Sequence, residues 1–450
     1  MNRVAYRIVA VLVVIGILAI GVLSWLVLAP GPMDFAGGHT VALADYHGPD
    51  PTGVPPALAH ASLVKRGEYL ARAADCAACH TAKGGRAFAG GLAIRLPFGT
   101  LWSTNITPDR ETGIGNYSDA NFLNALHRGI RQDGRPLYPA MTYTSYTWMT
   151  DADVLAIKAY LFSLPPVHAP RRVNTLAFPF NQRRLVALWS WLFSADRRFE
   201  PNADRSAQWN RGAYLAEALA HCGECHTPRT IAFSMDNRRK FAGAIAAGWR
   251  AYNITGDRDF GIGAWSDADV YNYLAQGHAT GHGTASGSMG EAVDNGFARM
   301  TPDDLRAIVA YVRTVPPQSS PDLPASLAPP APASPKGGPM VADALGKHLF
   351  EGACAACHGW TGQSALSPFA TLTGARAVND PSATNAAQIV ISGTRRTTPS
   401  GVISMPAFGR SFTDAEIAAV ANYVTARFGA KGSSLTASDI ASLRRQSAQP

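Results

Sequence analysis

The chain is poor in cysteine and in charge for its length. Only six cysteines occur among 450 residues, and charged residues make up 16% of the total, against roughly 25% in typical soluble proteins. This low charge, together with an apolar content of 47%, excludes a largely disordered chain and predicts packed cores. At roughly 100–200 residues per domain, the length allows about three domains.

The N-terminus contains one long apolar run. Residues 8–28 carry no charge, and as a helix they would span about 31 Å, enough to cross a bilayer core of about 30 Å. Arg3 and Arg7 precede the run and the body follows it. The positive-inside tendency therefore places residues 31–450 outside the cytoplasm.

Residues 1–30 are interpreted as an uncleaved transmembrane anchor. The alternative is a secretory signal, which usually has a shorter apolar core and a small-residue cleavage site. The only close candidate for cleavage, at residues 27–29, is followed by Pro30, which should hinder cleavage. Either interpretation exports the body, and the anchor is preferred.

Concentrated positive charge is also missing. The formal net charge is +8, but the lysines and arginines do not gather into a basic stripe of the kind that binds nucleic acid. Export would in addition separate the body from the usual nucleic-acid partners. Nucleic acid is therefore excluded as a partner.

All six cysteines lie in three copies of one pattern, CAACH at 76–80, CGECH at 222–226 and CAACH at 354–358. CxxCH is the pattern of c-type haem attachment: two thiols on one helical turn add to the vinyl groups of one haem, and the adjacent histidine reaches the iron. The sequence therefore predicts three covalently bound haem c groups. Their predicted attachment residues are Cys76, Cys79, Cys222, Cys225, Cys354 and Cys357, with His80, His226 and His358 as proximal iron ligands.

Other uses of paired cysteines fit the pattern less well. A zinc site needs paired CxxC units or suitably spaced histidines, and a thioredoxin-like dithiol needs a βαβ setting without an obligatory histidine. A disulfide within CxxC would close a loop too short to stabilise much of the chain. Haem is therefore the preferred interpretation of all three copies.

The segments around the motifs repeat. RGEYLARAADCAACH at 66–80 resembles RGAYLAEALAHCGECH at 211–226, and NITPDRETGIGNYSD at 105–119 matches NITGDRDFGIGAWSD at 253–267. The third copy shares only LGKHLFEGACAACH at 345–358 and a closing amphipathic helix. In all three copies this closing helix is predicted to follow a threonine, with an acid three residues on that would complete a capping box; the pairs are Thr150 with Asp153, Thr301 with Asp304, and Thr413 with Glu416.

The repeats predict a mainly α fold with three cytochrome c-type domains in tandem, long loops and an N-terminal transmembrane helix. Each domain would pack a short CxxCH helix against its closing helix. A linker at 318–339 that is rich in proline would be stiff and extended and not folded. The third domain could therefore move relative to the other two. The predicted parts are a tether at 31–60, domains at 61–168, 207–317 and 340–430, a connecting segment at 169–206, the Pro-rich linker at 318–339 and a tail at 431–450.

Methionine is a common second axial ligand of electron-transfer haems. Met141 and Met289 occupy equivalent positions of the repeat, and Met405 is the only methionine between the third haem motif and its closing helix. These three are the predicted ligands. The rivals are Met149 and Met300, which flank helix caps and suit core packing, and three histidines, of which the first two are not repeated: His127, His278 and His282.

The segment RRLVALWSWLFS at 183–194 begins with two arginines and is otherwise mostly apolar. Packing between the first two domains is the preferred interpretation. A contact with the membrane surface, or a quinone-reducing site, is the alternative.

The order of these motifs resembles a known family. FGT at 98–100, NITPDRETGIG, LYPAMTYTSY, FNQRR at 180–184, GIGAWSD and SGSMGEAV, together with the three CxxCH motifs, resemble the triheme cytochrome c subunit of bacterial membrane-bound dehydrogenases over nearly all of residues 60–430. The resemblance implies the periplasmic side of the bacterial inner membrane. It also implies a catalytic partner subunit, either a quinoprotein alcohol dehydrogenase, a flavoprotein for gluconate, sorbitol or fructose, or a molybdoprotein aldehyde dehydrogenase.

The family's cytochrome passes electrons from the catalytic subunit to ubiquinone or another respiratory acceptor. The residues agree, because the chain offers no catalytic constellation besides its haems; we expect an electron-transfer subunit of an oxidoreductase complex and not an enzyme by itself. The alternatives are a haem enzyme of the cytochrome c peroxidase type, which needs an open coordination site, and the cytochrome subunit of a terminal oxidase. The long apolar N-terminus departs from the cleaved signal expected in this family.

Overall fold

The computed structural model describes residues 3–320, 344–398 and 401–447. Most of the predicted linker at 318–339 lies outside these residues. Within the described ranges, helices dominate the regular structure and the strands form only small sheets of two or three strands. The predicted mainly helical character is therefore confirmed.

The first helix, α1 (Arg3–Val27), contains the predicted apolar run. Its window Ala10–Val27 has a mean hydropathy of 2.8, and in the described part of the chain α1 alone is long and apolar enough to cross a membrane. Only 6% of this window is buried against the rest of the protein. Its apolar side chains therefore do not pack into a protein core.

The first segment (residues 61–168) combines helices with a β-hairpin. Its elements are α2 (Leu63–Ala73), α3 (Cys76–His80), β1 (Ala93–Leu96), β2 (Gly99–Trp102), α4 (Asp119–Arg128), α5 (Tyr143–Tyr146) and α6 (Asp151–Ser163). The residues that follow, 169–206, contribute β3 (Thr175–Leu176), which extends the antiparallel sheet in the order β1, β2, β3, and α7 (Arg183–Phe193).

The second segment (residues 207–317) repeats this order, with a π-helical turn (Tyr214–Leu219) continuing its first helix. Its elements are α8 (Ala207–Ala213), α9 (Gly223–His226), β4 (Ala244–Ala246), β5 (Trp249–Ala251), α10 (Asp267–Gln276), β6 (His278–Ala279), β7 (Gly283–Thr284), α11 (Gly287–Asn295) and α12 (Pro302–Val312). The pairs β4–β5 and β6–β7 are antiparallel.

The third segment (residues 344–447, as far as described) is shorter before its closing helix and is extended by one helix after it. Its elements are α13 (Ala344–Ala353), α14 (Ala355–His358), α15 (Arg376–Asn379), α16 (Thr384–Ser392), β8 (Thr394–Thr398), β9 (Gly401–Met405), α17 (Asp414–Phe428) and α18 (Ala437–Ser447). Helix α18 lies in the predicted tail, and its Ile440 is fully buried against α16 and α17.

In all three segments the first helix crosses the closing helix at a glycine. A Cβ atom on that glycine would lie 1.8, 1.9 or 2.3 Å from a backbone carbonyl oxygen of the closing helix. No side chain fits at such a distance, so the two helix backbones touch directly. The pairs are Gly67 with Ala156, Gly212 with Ala307, and Gly346 with Ala419.

Threonine caps each closing helix, as predicted. The hydroxyls of Thr150, Thr301 and Thr413 each accept a hydrogen bond from the backbone N–H three residues on. The complete capping box, however, forms at Thr413 with Glu416. The capping boxes predicted with Asp153 and Asp304 are wrong.

Tyrosine hydroxyls replace these two acids at the caps. Tyr214 of the second segment accepts the Thr150 N–H at 3.3 Å and donates to Asp153 at 2.5 Å. The equivalent Tyr69 of the first segment accepts the Thr301 N–H at 3.3 Å and donates to Asp304 at 2.5 Å. The two exchanges relate the segments by an approximate twofold, and one hydrophobic core runs through both.

Residues 31–60, interpreted from the sequence as a tether, lie along this two-segment body. The ring of Phe35 packs 5.8 Å from that of Tyr311, and the Arg211 guanidinium donates to the Pro51 carbonyl at 3.0 Å. The segment thus holds the end of α1 close to the body.

The third segment docks on the second through arginines. Arg396, only 2% exposed, pairs with Asp294 at 2.9 Å, and Arg250 pairs with Asp380 at 3.2 Å. Each pair joins the second segment to the third, and the arginine side chain in each is nearly buried. The linker composition suggested that this segment could move, whereas the structure shows it docked.

The glycine crossings yield a prediction with a matched control on one helix. Gly346→Ala places a methyl group 2.3 Å from the Ala419 oxygen, so α13 and α17 must separate, at about 1–3 kcal/mol. Gly352→Ala, also on α13, meets nothing within 4 Å and should stabilise by up to about 1 kcal/mol through helix propensity. Denaturant unfolding followed by circular dichroism measures both, and equal stabilities would contradict the close crossing.

Candidate haem sites

Each CxxCH motif folds as one helical turn soon after the first helix of its segment. The turns are α3, α9 and α14. In the second and third, the N–H of His226 donates to the Cys222 carbonyl at 2.9 Å and that of His358 to the Cys354 carbonyl at 3.0 Å. The two cysteines of a motif, three residues apart, therefore share a face of the turn. None of the six cysteines forms a disulfide.

The three motif histidines make the same hydrogen bond. Each Nδ1 atom donates to a backbone carbonyl oxygen at 2.6–2.7 Å; the pairs are His80 with Thr104, His226 with Tyr252, and His358 with Ala370. Because a carbonyl can only accept, Nδ1 must carry the proton. Nε2 then keeps a free lone pair, which is the state that binds iron.

Two of these carbonyls are positioned by buried asparagine turns. Asn105 Oδ1 accepts from the Thr107 N–H at 2.9 Å, and Asn253 Oδ1 accepts from the Thr255 N–H at 2.8 Å. Each asparagine directly follows the residue whose carbonyl accepts the hydrogen bond from the motif histidine. The repeat of the NIT segments was evident from the sequence but this role was not; the similar, though not identical, spacing of the two segments from their haem motifs was the available signal.

Burial shifts the protonation equilibria of both kinds of haem-attachment residue. It lowers the pKa of the motif histidines, which favours the neutral imidazole, and it raises the pKa of Cys76 and Cys222 to about 12. Among the described residues, no three His, Cys, Asp or Glu side chains come together as a metal cluster. Paired cysteines beside an imidazole with an unprotonated Nε2 fit haem c at each of the three places.

The predicted axial methionines occupy half-buried positions. Met141 precedes α5, Met289 lies on α11, and Met405 ends β9. Their rivals Met149 and Met300 are 0% and 8% exposed and belong to the core shared by the first two segments. Burial in this core accounts for the two rivals, whereas Met141 and Met289 are only partly buried where they pack against it. The three methionines stay predicted ligands.

The rival histidines have other surroundings. The Nδ1 atom of His278 lies 3.0 Å from Thr284 Oγ1, and the ring of His282 stacks on Trp265 with 4.0 Å between centroids. His127 is 2% exposed and faces the start of α6. Each of the three is used in packing or hydrogen bonding.

Known proteins resemble the chain over these segments. The family model "Cytochrome c" matches residues 64–165, and the model "Cytochrome C oxidase, cbb3-type, subunit III" matches residues 341–424. The fructose dehydrogenase cytochrome subunit of Gluconobacter japonicus is 37% identical over 88% of this chain and 85% of its own. The gluconate 2-dehydrogenase cytochrome c subunit of Pantoea cypripedii is 37% identical over 94% and 95%. The alcohol dehydrogenase (quinone) cytochrome c subunit of Gluconacetobacter polyoxogenes is 35% identical over 86% and 85%.

The chain belongs to the family of cytochrome c subunits of membrane-bound dehydrogenases. This membership confirms the predicted cytochrome c domains with covalently bound haem c. It also confirms that the chain is an electron-transfer component and not the catalytic subunit.

The short helix α5 contacts the chain at both of the first two haem motifs of this cytochrome subunit. The Tyr146 hydroxyl donates to the Ala74 carbonyl at 2.8 Å, just before the first motif, and the Tyr146 ring lies 5.5 Å from that of His221, just before the second. Thr144 in the same helix donates to Glu224 within the second motif at 2.7 Å. Helix α5, which follows Met141, therefore lies next to both motifs.

The cytochrome subunit also buries an ion pair against its second haem motif. Lys240 and Glu217, 2% and 4% exposed, are 2.6 Å apart, and the Tyr311 hydroxyl donates to Glu217 at 2.7 Å. A Cβ atom on Gly223 would lie 3.2 Å from Lys240 Nζ. This pair was not predicted from the sequence, because Lys240 and Glu217 are 23 residues apart and have no counterparts in the first segment.

Removing Lys240 should leave Glu217 buried without its cation. We expect Lys240→Met to destabilise the cytochrome subunit by about 3–5 kcal/mol. The control is Lys158→Met, because Lys158 pairs with Asp119 at the same 2.6 Å but Asp119 is 70% exposed, so its loss should cost less than about 1 kcal/mol. Denaturant unfolding compares the two, and similar losses would contradict the buried pair.

Proposed function

We propose that this cytochrome subunit carries three haem c groups and relays electrons from a dehydrogenase catalytic subunit to ubiquinone. One observation carries the proposal: each of the three CxxCH turns holds a histidine whose Nδ1 is bonded to a carbonyl and whose Nε2 is free for iron. Haem supplies reversible one-electron oxidation and reduction. In this proposal residues 61–168, 207–317 and 340–430 each form one cytochrome c domain.

The residues of the chain have distinct parts in holding the haems. The six motif cysteines attach them, and His80, His226 and His358 ligate the iron from the proximal side. Methionine on the opposite side raises the reduction potential and closes the iron to other ligands. We assign that second position to Met141, Met289 and Met405, which are supported by their half-buried positions and by the packing of their rivals.

We place the body on the periplasmic side of the bacterial inner membrane, with α1 as its uncleaved anchor. The exposed apolar window of α1 and the two arginines before it support this orientation. Trp25 near the end of α1 lies under the Arg238 guanidinium, 4.3 Å from ring centroid to charge, a residue pair suited to the membrane interface. An anchored relay reaches ubiquinone because that acceptor is dissolved in the bilayer.

The catalytic partner decides the substrate. The relatives named for fructose, gluconate and alcohol dehydrogenases are 35–37% identical to this chain, so similarity does not single out one substrate. A quinoprotein, a flavoprotein or a molybdoprotein fits the role.

Two alternatives have weaker support. A haem enzyme of the peroxidase type needs an iron with an open coordination site, whereas the proposed methionine ligands would close all three. A terminal-oxidase cytochrome subunit agrees with the family model at residues 341–424. That match covers one segment, whereas the dehydrogenase relatives cover most of the chain.

The axial ligands can be tested one at a time. Replacing Met141, Met289 or Met405 by leucine should remove about one third of the sulfur-to-iron charge-transfer absorbance of the oxidised protein and lower the potential of one haem. Met149→Leu, a substitution in the core, should leave the band unchanged. Visible spectroscopy with redox titration measures both effects. A full band in any of the three variants would exclude that methionine as a ligand.

The relay itself is tested on the complex purified in detergent from its native membrane. Mass spectrometry identifies the co-purifying subunit, whose substrate is then added without oxygen, followed by a soluble ubiquinone analogue. We expect the substrate to reduce the haems and the quinone to reoxidise them. A native haem that reacts rapidly with peroxide would favour the enzyme alternative, and a co-purifying copper–haem core would favour the oxidase.

A further inference from the structure

One apolar surface of the cytochrome subunit faces solvent in the structure. It combines one face of α7, the turn before α7 and the tip of the loop at residues 229–239. We call it the apolar patch, and its members with their exposed fractions are Phe178 (78%), Leu185 (48%), Leu188 (53%), Trp191 (78%) and Ile231 (80%).

Helix α7 has two faces with different surroundings. Its inner face packs between the first two segments, as the sequence indicated: Trp189 Nε1 donates to the Ala232 carbonyl at 2.6 Å, and the Ser190 hydroxyl lies 2.8 Å from that of Tyr143. The patch members on α7 follow each other at three-residue spacing and therefore share the other face. That face takes no part in joining the segments.

Aromatic packing unites the turn before α7 with the loop. The ring of Phe98 stacks on Phe180 with 3.8 Å between centroids and meets the edge of Phe233 at 5.5 Å. Phe180 lies two residues after the patch member Phe178, and Phe233 lies two residues after Ile231. Packed rings therefore join the turn that carries Phe178 to the loop that carries Ile231.

The same loop also holds the end of the candidate membrane span. Asn237 donates to the Pro30 carbonyl at 3.0 Å, and Arg238 both donates to the Trp25 carbonyl at 2.5 Å and covers the Trp25 ring. Since residues 229–239 contact α7 at one end and α1 at the other, the patch lies beside the point where α1 leaves the body.

We propose that the apolar patch inserts into the periplasmic leaflet of the membrane that α1 crosses, so that the body is held at two adjacent places. The proposal rests on the anchor role of α1 proposed above. Continuity with α1 selects lipid as the occupant, because a surface next to the emerging span meets the bilayer first. A short amphipathic helix with leucine and tryptophan on one face suits the headgroup boundary.

Charge on the same face agrees with a lipid occupant. Arg184 is exposed and, at 100° per residue, lies between Leu188 and Trp191 around the helix. Its aliphatic stem can lie along the apolar surface while the guanidinium reaches an anionic headgroup. Docking would also bring the first haem site near the bilayer, because the inner face of α7 bonds Tyr143, two residues after Met141.

Spin labels in the full-length holoprotein test the proposal. The labelled variants are Leu188→Cys and Trp191→Cys on the patch, Leu18→Cys as a reference within α1, and Leu366→Cys as an aqueous control that is 72% exposed in the third segment. Each is placed in nanodiscs of phosphatidylethanolamine and phosphatidylglycerol with the haems oxidised, and a sample without collision reagent measures the haem contribution to relaxation, which is subtracted. Collision with oxygen, which prefers lipid, is compared with collision with a nickel chelate, which prefers water.

We expect the oxygen-to-nickel ratio at 188 and 191 to exceed that at 366 severalfold and to approach that at 18. If the ratio at the patch labels equals that at 366 while the ratio at 18 is that of a lipid-embedded label, the membrane contact of the patch is excluded and the anchor role of α1 is retained. A ratio at 18 as low as that at 366 would exclude both the anchor role of α1 and the membrane contact of the patch. Patch labels that become protected only when the catalytic subunit is added would assign the surface to that protein and contradict the lipid occupant.

Discussion

The hydrogen bond from each motif histidine to a backbone carbonyl is the constraint on which the proposed haem sites depend. It fixes the tautomer and leaves Nε2 to face a metal. Two other features serve it: the glycine crossing sets the helix that precedes the haem motif against the closing helix, and the asparagine turn at Asn105 or Asn253 presents the carbonyl. The third segment keeps the bond to Ala370 without an asparagine turn at that place, so the bond itself is the common element.

The shared core of the first two segments separates them from the third. Their joint boundary is apolar and is closed by the reciprocal bonds of Tyr69 and Tyr214, whereas the third segment has its own core clusters and docks through ion pairs. Both contacts bring segments together whose haem motifs are far apart in the sequence. Electron transfer between haems needs proximity, and the contacts between successive segments agree with the proposed relay.

The sequence was sufficient for most features that depend on local spacing, the two aspartate capping boxes excepted. The CxxCH turns, the threonine caps and the closing helices lie where the repeats predicted them, because cap chemistry and helical periodicity act within a few residues. The sites of Met149 and Met300 were also predicted correctly as core positions. These parts cover the helical framework and the proximal side of the haem sites.

The remaining parts depend on contacts between distant residues. Asp153 was expected to complete its own cap, but Tyr214 from the other segment intervenes; the capping box of Ser266 with Asp269 shows that aspartate is long enough, so competition and not side-chain length decides. The Lys240–Glu217 pair and the course of residues 31–60 along the body likewise require the tertiary arrangement. No local pattern carries that information.

We propose one haem site in each of the three segments. The number of haem c groups per polypeptide tests this; it is obtained from a pyridine haemochrome spectrum and a quantitative amino-acid analysis of the same sample. We expect three covalently bound haems. A value of two or fewer in protein made with full haem supply would exclude the three-haem arrangement.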